Sequence, residues 1–125
     1  LCREADAIAL NCPLTDTTRG MINMEKLKLM KPTAIIVNEA RGAVINLDDL
    51  AEALEKGIIW GAAIDVWEPE PCDPNSPLLK MEKVITTSHL GASTRESLIR
   101  VYSEVLANTA RLFKDGRPEN VQNGL

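Results

Sequence analysis

The chain has 125 residues, with 14 Lys and Arg against 18 Asp and Glu, a formal charge of −4; this acidic balance speaks against a nucleic-acid or anionic-membrane surface, which needs clustered cations. Hydrophobic residues at 45% and charged residues at 26% describe an ordinary globular mixture and not a disordered one. One His and the scattered Cys2, Cys12 and Cys72 offer no metal-ligand spacing, unpaired cysteines fit a reducing cytoplasm, and the longest apolar run, Gly57 to Ile64, is too short to cross a bilayer.

The chain opens on Leu1 and no signal peptide precedes its first apolar stretch, so it reads as a segment of something longer. Four strand-length apolar runs follow: Ala7 to Leu10, Ala34 to Val37, Gly61 to Val66 and Val84 to Thr87. None alternates strictly, which predicts strands buried on both faces of a sheet. Between the first two, Met24, Leu27 and Met30 repeat at helical spacing behind Asn23, a predicted N-cap, and Pro32 stops the helix. Between the next two, Leu47, Leu50, Ala51 and Leu54 repeat behind Asn46, with Asp48 and Asp49 in the first turn and Gly57 as the left-handed exit.

The run Glu68-Pro69-Glu70-Pro71, then Pro74 and Pro77, predicts a stiff loop. The fourth strand is expected to end at His89. Ser93-Thr94-Arg95-Glu96 has capping-box spacing, and an amphipathic helix then runs from Leu98 to about Lys114, closed by Gly116. Alternating strands and helices give an α/β fold with a parallel sheet. In such sheets ligands bind at the carboxyl ends of the strands.

Asn11-Cys12-Pro13, Asn38 to Gly42, Asp65 to Glu70 and His89 to Ser93 occupy those ends. An Arg, a Glu and a His on one rim suit redox chemistry on a hydroxy acid. Arg41 offers a forked cation that fits a carboxylate. Histidine is the side chain suited to proton transfer near neutral pH, so His89 is the candidate to take a hydroxyl proton as hydride leaves the carbon. A carboxylate beside it fixes the ring tautomer.

The stretches Asn11 to Thr15, Met30-Lys31-Pro32, Val37 to Gly42, Ala63 to Pro71 and Ser88 to Thr94 resemble, in order and spacing, the D-isomer-specific 2-hydroxyacid dehydrogenase family. His89 to Thr94 is most similar to its D-3-phosphoglycerate dehydrogenase branch. The resemblance implies a Rossmann-like parallel sheet with flanking helices, NAD as cofactor, a small 2-hydroxy or 2-oxo acid as substrate, a role in serine biosynthesis, and a cytoplasmic homo-oligomer, a dimer in which the Thr94 to Lys114 helix packs on the second subunit. It implies that Arg41 holds the substrate carboxylate, that His89 is the acid/base and that Glu70 partners it. Cys12, Pro13, Thr18, Glu39, Ala40, Asp65, His89, Gly91 and Ala92 match positions lining the NAD site.

Two positions depart from the family's pattern. Glu39 stands where a small or neutral residue is usual, and Ala43 replaces a common Gly. The phosphate loop Gly-x-Gly-x-x-Gly and the acidic residue expected some twenty residues after it are absent from these residues. The resemblance therefore assigns residues 1–115 to the C-terminal, nicotinamide-side part of an NAD-binding domain and 116–125 to a tail returning to a substrate domain. The piece alone is expected to be inert and to self-associate through apolar surface.

Plainer roles stand beside these. Glu68 competes with Glu70, since it too precedes a proline. Arg41 could cap a loop, Asp65 could cap a turn, and Cys12 is a small filler, with no base beside it. A glyoxylate or hydroxypyruvate reductase and a non-catalytic NAD-sensing scaffold both remain compatible with the same residues.

Overall fold

The computed structural model describes residues 1–121. It forms two compact units, Leu1–Leu90 and Gly91–Leu125. The last part of the expected tail, residues 122–125, lies outside the described residues.

In the first unit, β1 (Ala7–Leu10), β2 (Ile35–Asn38), β3 (Gly61–Ile64) and β4 (Val84–Thr86) form one sheet in the order β1-β2-β3-β4. Every pairing is parallel, with Ala7 opposite Ile35, Ile35 opposite Gly61 and Ala62 opposite Val84. Helix α1 (Met24–Leu27) lies between β1 and β2, and α2 (Leu47–Glu55) between β2 and β3.

Among the described residues, one face of the sheet is covered. Burial alternates along β1 and β2: Ile8, Leu10, Ile36 and Asn38 are buried, whereas Ala7 and Ala9 are exposed and Ile35 and Val37 only half-buried. Strand order supplies the reason. Strands added one after another in a single direction by right-handed crossovers place every connection on the same face. Leu27, Leu50, Ala53 and Ile59 pack there against Ile36 and Ile64. The other face carries small and β-branched side chains at alternate positions, ending in the exposed Ile85. Uniformly apolar strands do not reveal which of their faces is covered.

The helix starts follow local chemistry. Asn23 accepts a hydrogen bond from the Lys26 N–H at 3.1 Å, and Asn46 accepts from Asp48 and Asp49 at 3.1 and 3.2 Å. Asp49 does more than favour its own helix end, because its carboxylate accepts the Met24 N–H at 2.8 Å and so ties the start of α1 to α2. Helix α1 ends at Leu27, earlier than Pro32 requires, and turns carry the chain on to the buried Met30. Gly57 takes the left-handed φ of 66° at the exit of α2.

Strand β4 ends at Thr86, so His89 sits in a loop and not at the end of a strand. In the second unit, α3 (Arg95–Asp115) closes at Gly116 with φ 69°. Its cap is Thr94, whose hydroxyl accepts from Ser97 N–H at 3.1 Å, one residue beyond the expected Ser93. No residue of α3 is buried.

Candidate active site

At the carboxyl end of β2, Asn38 is fully buried and shapes the turn that presents Arg41. Its amide nitrogen donates to the Arg41 carbonyl at 3.0 Å and its amide oxygen accepts from Ala40 N–H at 3.1 Å. A buried amide with both ends bonded holds one backbone shape, because breaking either bond leaves a dry polar group unpaired. The Arg41 guanidinium is exposed, and Nη1 donates to the Ala40 carbonyl at 2.7 Å.

Gly42 then lets two loops touch. A Cβ there would lie 2.1 Å from both the carbonyl carbon and the carbonyl oxygen of Trp67, a separation no side chain tolerates. The loop carrying Arg41 is thereby pressed against the segment that leads to Glu70. Both Glu-Pro bonds of that segment, Glu68-Pro69 and Glu70-Pro71, are cis.

Glu70 folds back so that Oε1 accepts the Trp67 N–H at 3.0 Å. Both of its carboxylate oxygens lie beside His89 Nδ1, at 3.0 and 3.1 Å. The Trp67 N–H first, and then the His89 hydrogen bond, hold the Glu70 carboxyl below its ordinary pKa; the charges of His89 and Arg41 act in the same direction, against the opposing effect of desolvation. An ionised carboxylate only accepts, so in the neutral ring Nδ1 is the nitrogen that carries the proton and Nε2 the one that keeps its lone pair. The competing Glu68 goes elsewhere, its Oε1 4.0 Å from Arg19.

His89 itself is held from below by Asp65. The His89 N–H donates to the Asp65 carbonyl at 2.7 Å, and the Leu90 N–H donates to the Asp65 carboxylate at 2.8 Å. The Thr87 hydroxyl bonds the same carboxylate oxygen. Between these anchors His89 adopts φ 58°, a left-handed conformation that is uncommon outside glycine but several-fold enriched for His.

Cys12, Pro13, Glu39 and Ala40 come together with Arg41 along one cleft of about 460 Å³ between the ends of β1 and β2, within the size range of small-molecule sites. Glu39 and Asp65 also line a second, smaller cleft with Thr87. Thr18 is engaged within its own loop: its hydroxyl donates to the Pro13 carbonyl at 2.7 Å and accepts from Thr15 N–H at 2.7 Å. Gly91 and Ala92 open the second unit, in the turn before α3.

The sequence reading did not single out four of these residues: Asn38 and Thr87, which bond the loops, and Gly42 and Trp67, which let the loops meet. The available signals were a polar residue at the end of an apolar strand and a glycine beside the candidate Arg. Among the described residues, no group of three or more His, Cys, Asp or Glu side chains could hold a metal ion, and no helix is long and apolar enough to cross a membrane.

Residues 1–91 match the family model of the D-isomer specific 2-hydroxyacid dehydrogenase, NAD binding domain. A D-3-phosphoglycerate dehydrogenase of Methanocaldococcus jannaschii is 46% identical over 98% of this chain and 23% of that protein. A glyoxylate reductase of Aeropyrum pernix is 41% identical over 98% of this chain and 37% of that protein. The chain thus spans about a third or less of the length of these curated relatives. Among solved structures, the NAD-complexed D-isomer specific 2-hydroxyacid dehydrogenase from Lactobacillus delbrueckii ssp. bulgaricus superposes with a TM-score of 0.87 at 30% identity, over 98% of this chain and 41% of that one.

Proposed function

The chain belongs to the D-isomer specific 2-hydroxyacid dehydrogenase family, in its NAD-binding domain, and on that premise we propose that the full-length protein transfers a hydride between NAD and a small D-2-hydroxy acid. The observation that carries this reading is Glu70, ionised and with both oxygens beside His89 Nδ1, on the same rim as the exposed cation of Arg41. We assign residues 1–115 to the C-terminal part of the NAD-binding domain and residues 116–125 to the return toward a substrate domain.

NAD, when bound, supplies the hydride acceptor. The residues present suit its nicotinamide end: the cleft lined by Cys12, Pro13, Glu39 and Ala40 opens at the carboxyl edge of a parallel sheet, where doubly wound sheets hold nucleotides. Nothing in this sequence provides the glycine-rich loop for the pyrophosphate. The chain by itself is therefore assigned weak NAD binding and no turnover.

Arg41 orients the substrate carboxylate through its forked N–H donors. His89 Nε2 takes the proton of the 2-hydroxyl group, and Glu70 stabilises the imidazolium that results. In the reverse direction the same Nε2 returns the proton to the carbonyl oxygen. Asp65 would lie near the nicotinamide end of the cofactor, and its carbonyl and carboxylate hold the His89 loop.

For the substrate we propose 3-phosphoglycerate, which would place the protein in serine biosynthesis, on the likeness of His89 to Thr94 and the 46% identity to a D-3-phosphoglycerate dehydrogenase. Reduction of glyoxylate or hydroxypyruvate is the second reading, favoured by similarly close glyoxylate reductases. Rates with 3-phosphoglycerate, glyoxylate and hydroxypyruvate distinguish the two. A cytoplasmic homodimer is part of the same proposal, and light scattering of the full-length protein checks the dimer.

The direct test is His89→Ala in the full-length protein. Turnover is expected to fall by about 10²- to 10⁴-fold while NAD affinity, read by fluorescence titration, stays nearly unchanged. Unaltered turnover would remove the assignment.

A further inference from the structure

Trp67 touches three loops of the rim, those after β2, β3 and β4. It is 6% exposed and belongs to the apolar core, yet its polar atoms all point to functional loops. The indole Nε1 donates to the Thr87 carbonyl at 3.2 Å, two residues before His89. Its backbone N–H holds Glu70 Oε1 at 3.0 Å. Its carbonyl is the surface on which Gly42, the neighbour of Arg41, rests without room for a Cβ. Arg41, Glu70 and His89 stand in separate loops, and this single residue meets Glu70 itself, Gly42 beside Arg41 and Thr87 two residues before His89.

We propose that Trp67 is a positioning residue for the dehydrogenase chemistry, and that its indole N–H, by fixing the Thr87 carbonyl, sets where the His89 ring stands against Glu70. The inference rests on the reading of His89 as the base. Of the bonds that fix the segment before His89, this one comes from a side chain in the core, so the rigidity of the packed interior is passed to a loop that is itself exposed. A Phe at this position would keep the buried ring, the backbone N–H to Glu70 and the seat for Gly42. It would remove only the donor to Thr87.

The test is Trp67→Phe in the full-length protein, made both alone and together with His89→Ala. Alone, it should lower kcat about five- to tenfold, the effect of one hydrogen bond, with KM for NAD unchanged. In the His89→Ala background the same change should alter the residual turnover by less than about twofold, because the ring it positions is gone. Equal losses in both backgrounds would mean a general structural role and overturn the proposal, as would no loss with Trp67→Phe alone. If Trp67→Phe unfolds, β-(3-benzothienyl)alanine at position 67 keeps the indole shape with sulfur in place of N–H, and the same two comparisons apply. Unaltered turnover in His89→Ala alone would remove the base assignment and the role of Trp67 with it. A large His89→Ala loss beside an indifferent Trp67→Phe would remove the role of Trp67 only.

Discussion

The covered face of the sheet and the rim at its carboxyl end lie within one unit but are held by different physics. On the covered face, Leu27, Leu50, Ala53 and Ile36 are buried to within 1% of their surface, and stability there follows from apolar area removed from water. At the rim, Arg41, Glu70 and His89 are exposed, and their placement comes from side-chain-to-backbone bonds made by Asn38, Asp65, Glu70 and Trp67. The first region resists unfolding; the second resists local rearrangement. A site that must admit ligand cannot be buried, so its order is supplied by polar clamps anchored in buried residues.

That contrast can be broken deliberately. Leu50→Ala, on the covered face, should cost about 2–5 kcal/mol of stability by chemical denaturation while kcat per folded molecule stays the same. Any comparable loss of kcat would mean that the two regions are coupled. Gly42→Ala tests the border between them: with Trp67 backbone 2.1 Å from the new Cβ, it should cost roughly 1–3 kcal/mol and lower kcat as well, since the loops of Arg41 and Glu70 must separate. Retained kcat together with retained stability would contradict the close approach described here.

Glu70→Gln gives the smallest effect and the sharpest signature. The folded protein holds the Glu70 pKa below its usual 4.5, so its stabilising contribution is full above pH 4.5 and disappears as pH falls through the lowered value. The melting-temperature gap between wild type and Glu70→Gln should therefore close as pH falls below 4.5 and through the lowered value. A gap unchanged down to the lowest pH would show that the Glu70 charge is not what holds the loop.

Much of the covered face was legible beforehand. The apolar runs located all four strands and the caps Asn23 and Asn46, because strands and helix starts are written in local side-chain chemistry. Ends were less legible. β4 stops at Thr86, yet backbone bonds continue past it, from Thr87 N–H to the Ile64 carbonyl and from His89 N–H to Asp65; these depend on a partner strand and leave no mark in the sequence. At the rim, the resemblance pointed to Glu70 while Glu68 remained a competitor, and the geometry puts Glu70 against His89. The clamps of Thr87 and Trp67 left no mark, since each bonds a group some twenty residues away, whereas Asn38, bonding its own turn, was hinted at by a polar residue at the end of an apolar strand. Which face is covered among the described residues could not be read either, because Ala and Ile occur on both faces of these strands, Ile8 and Ile36 buried and Ile35 and Ile85 not.

The left-handed backbone of His89 has a practical meaning for anyone probing the residue. Alanine there removes the imidazole and simultaneously asks a residue less tolerant of the left-handed region than His to sustain φ 58°, at an added cost of under about 1 kcal/mol. Asparagine visits that region readily and cannot act as a base near neutrality. Measuring both replacements side by side separates the ring's chemistry from the main chain's posture.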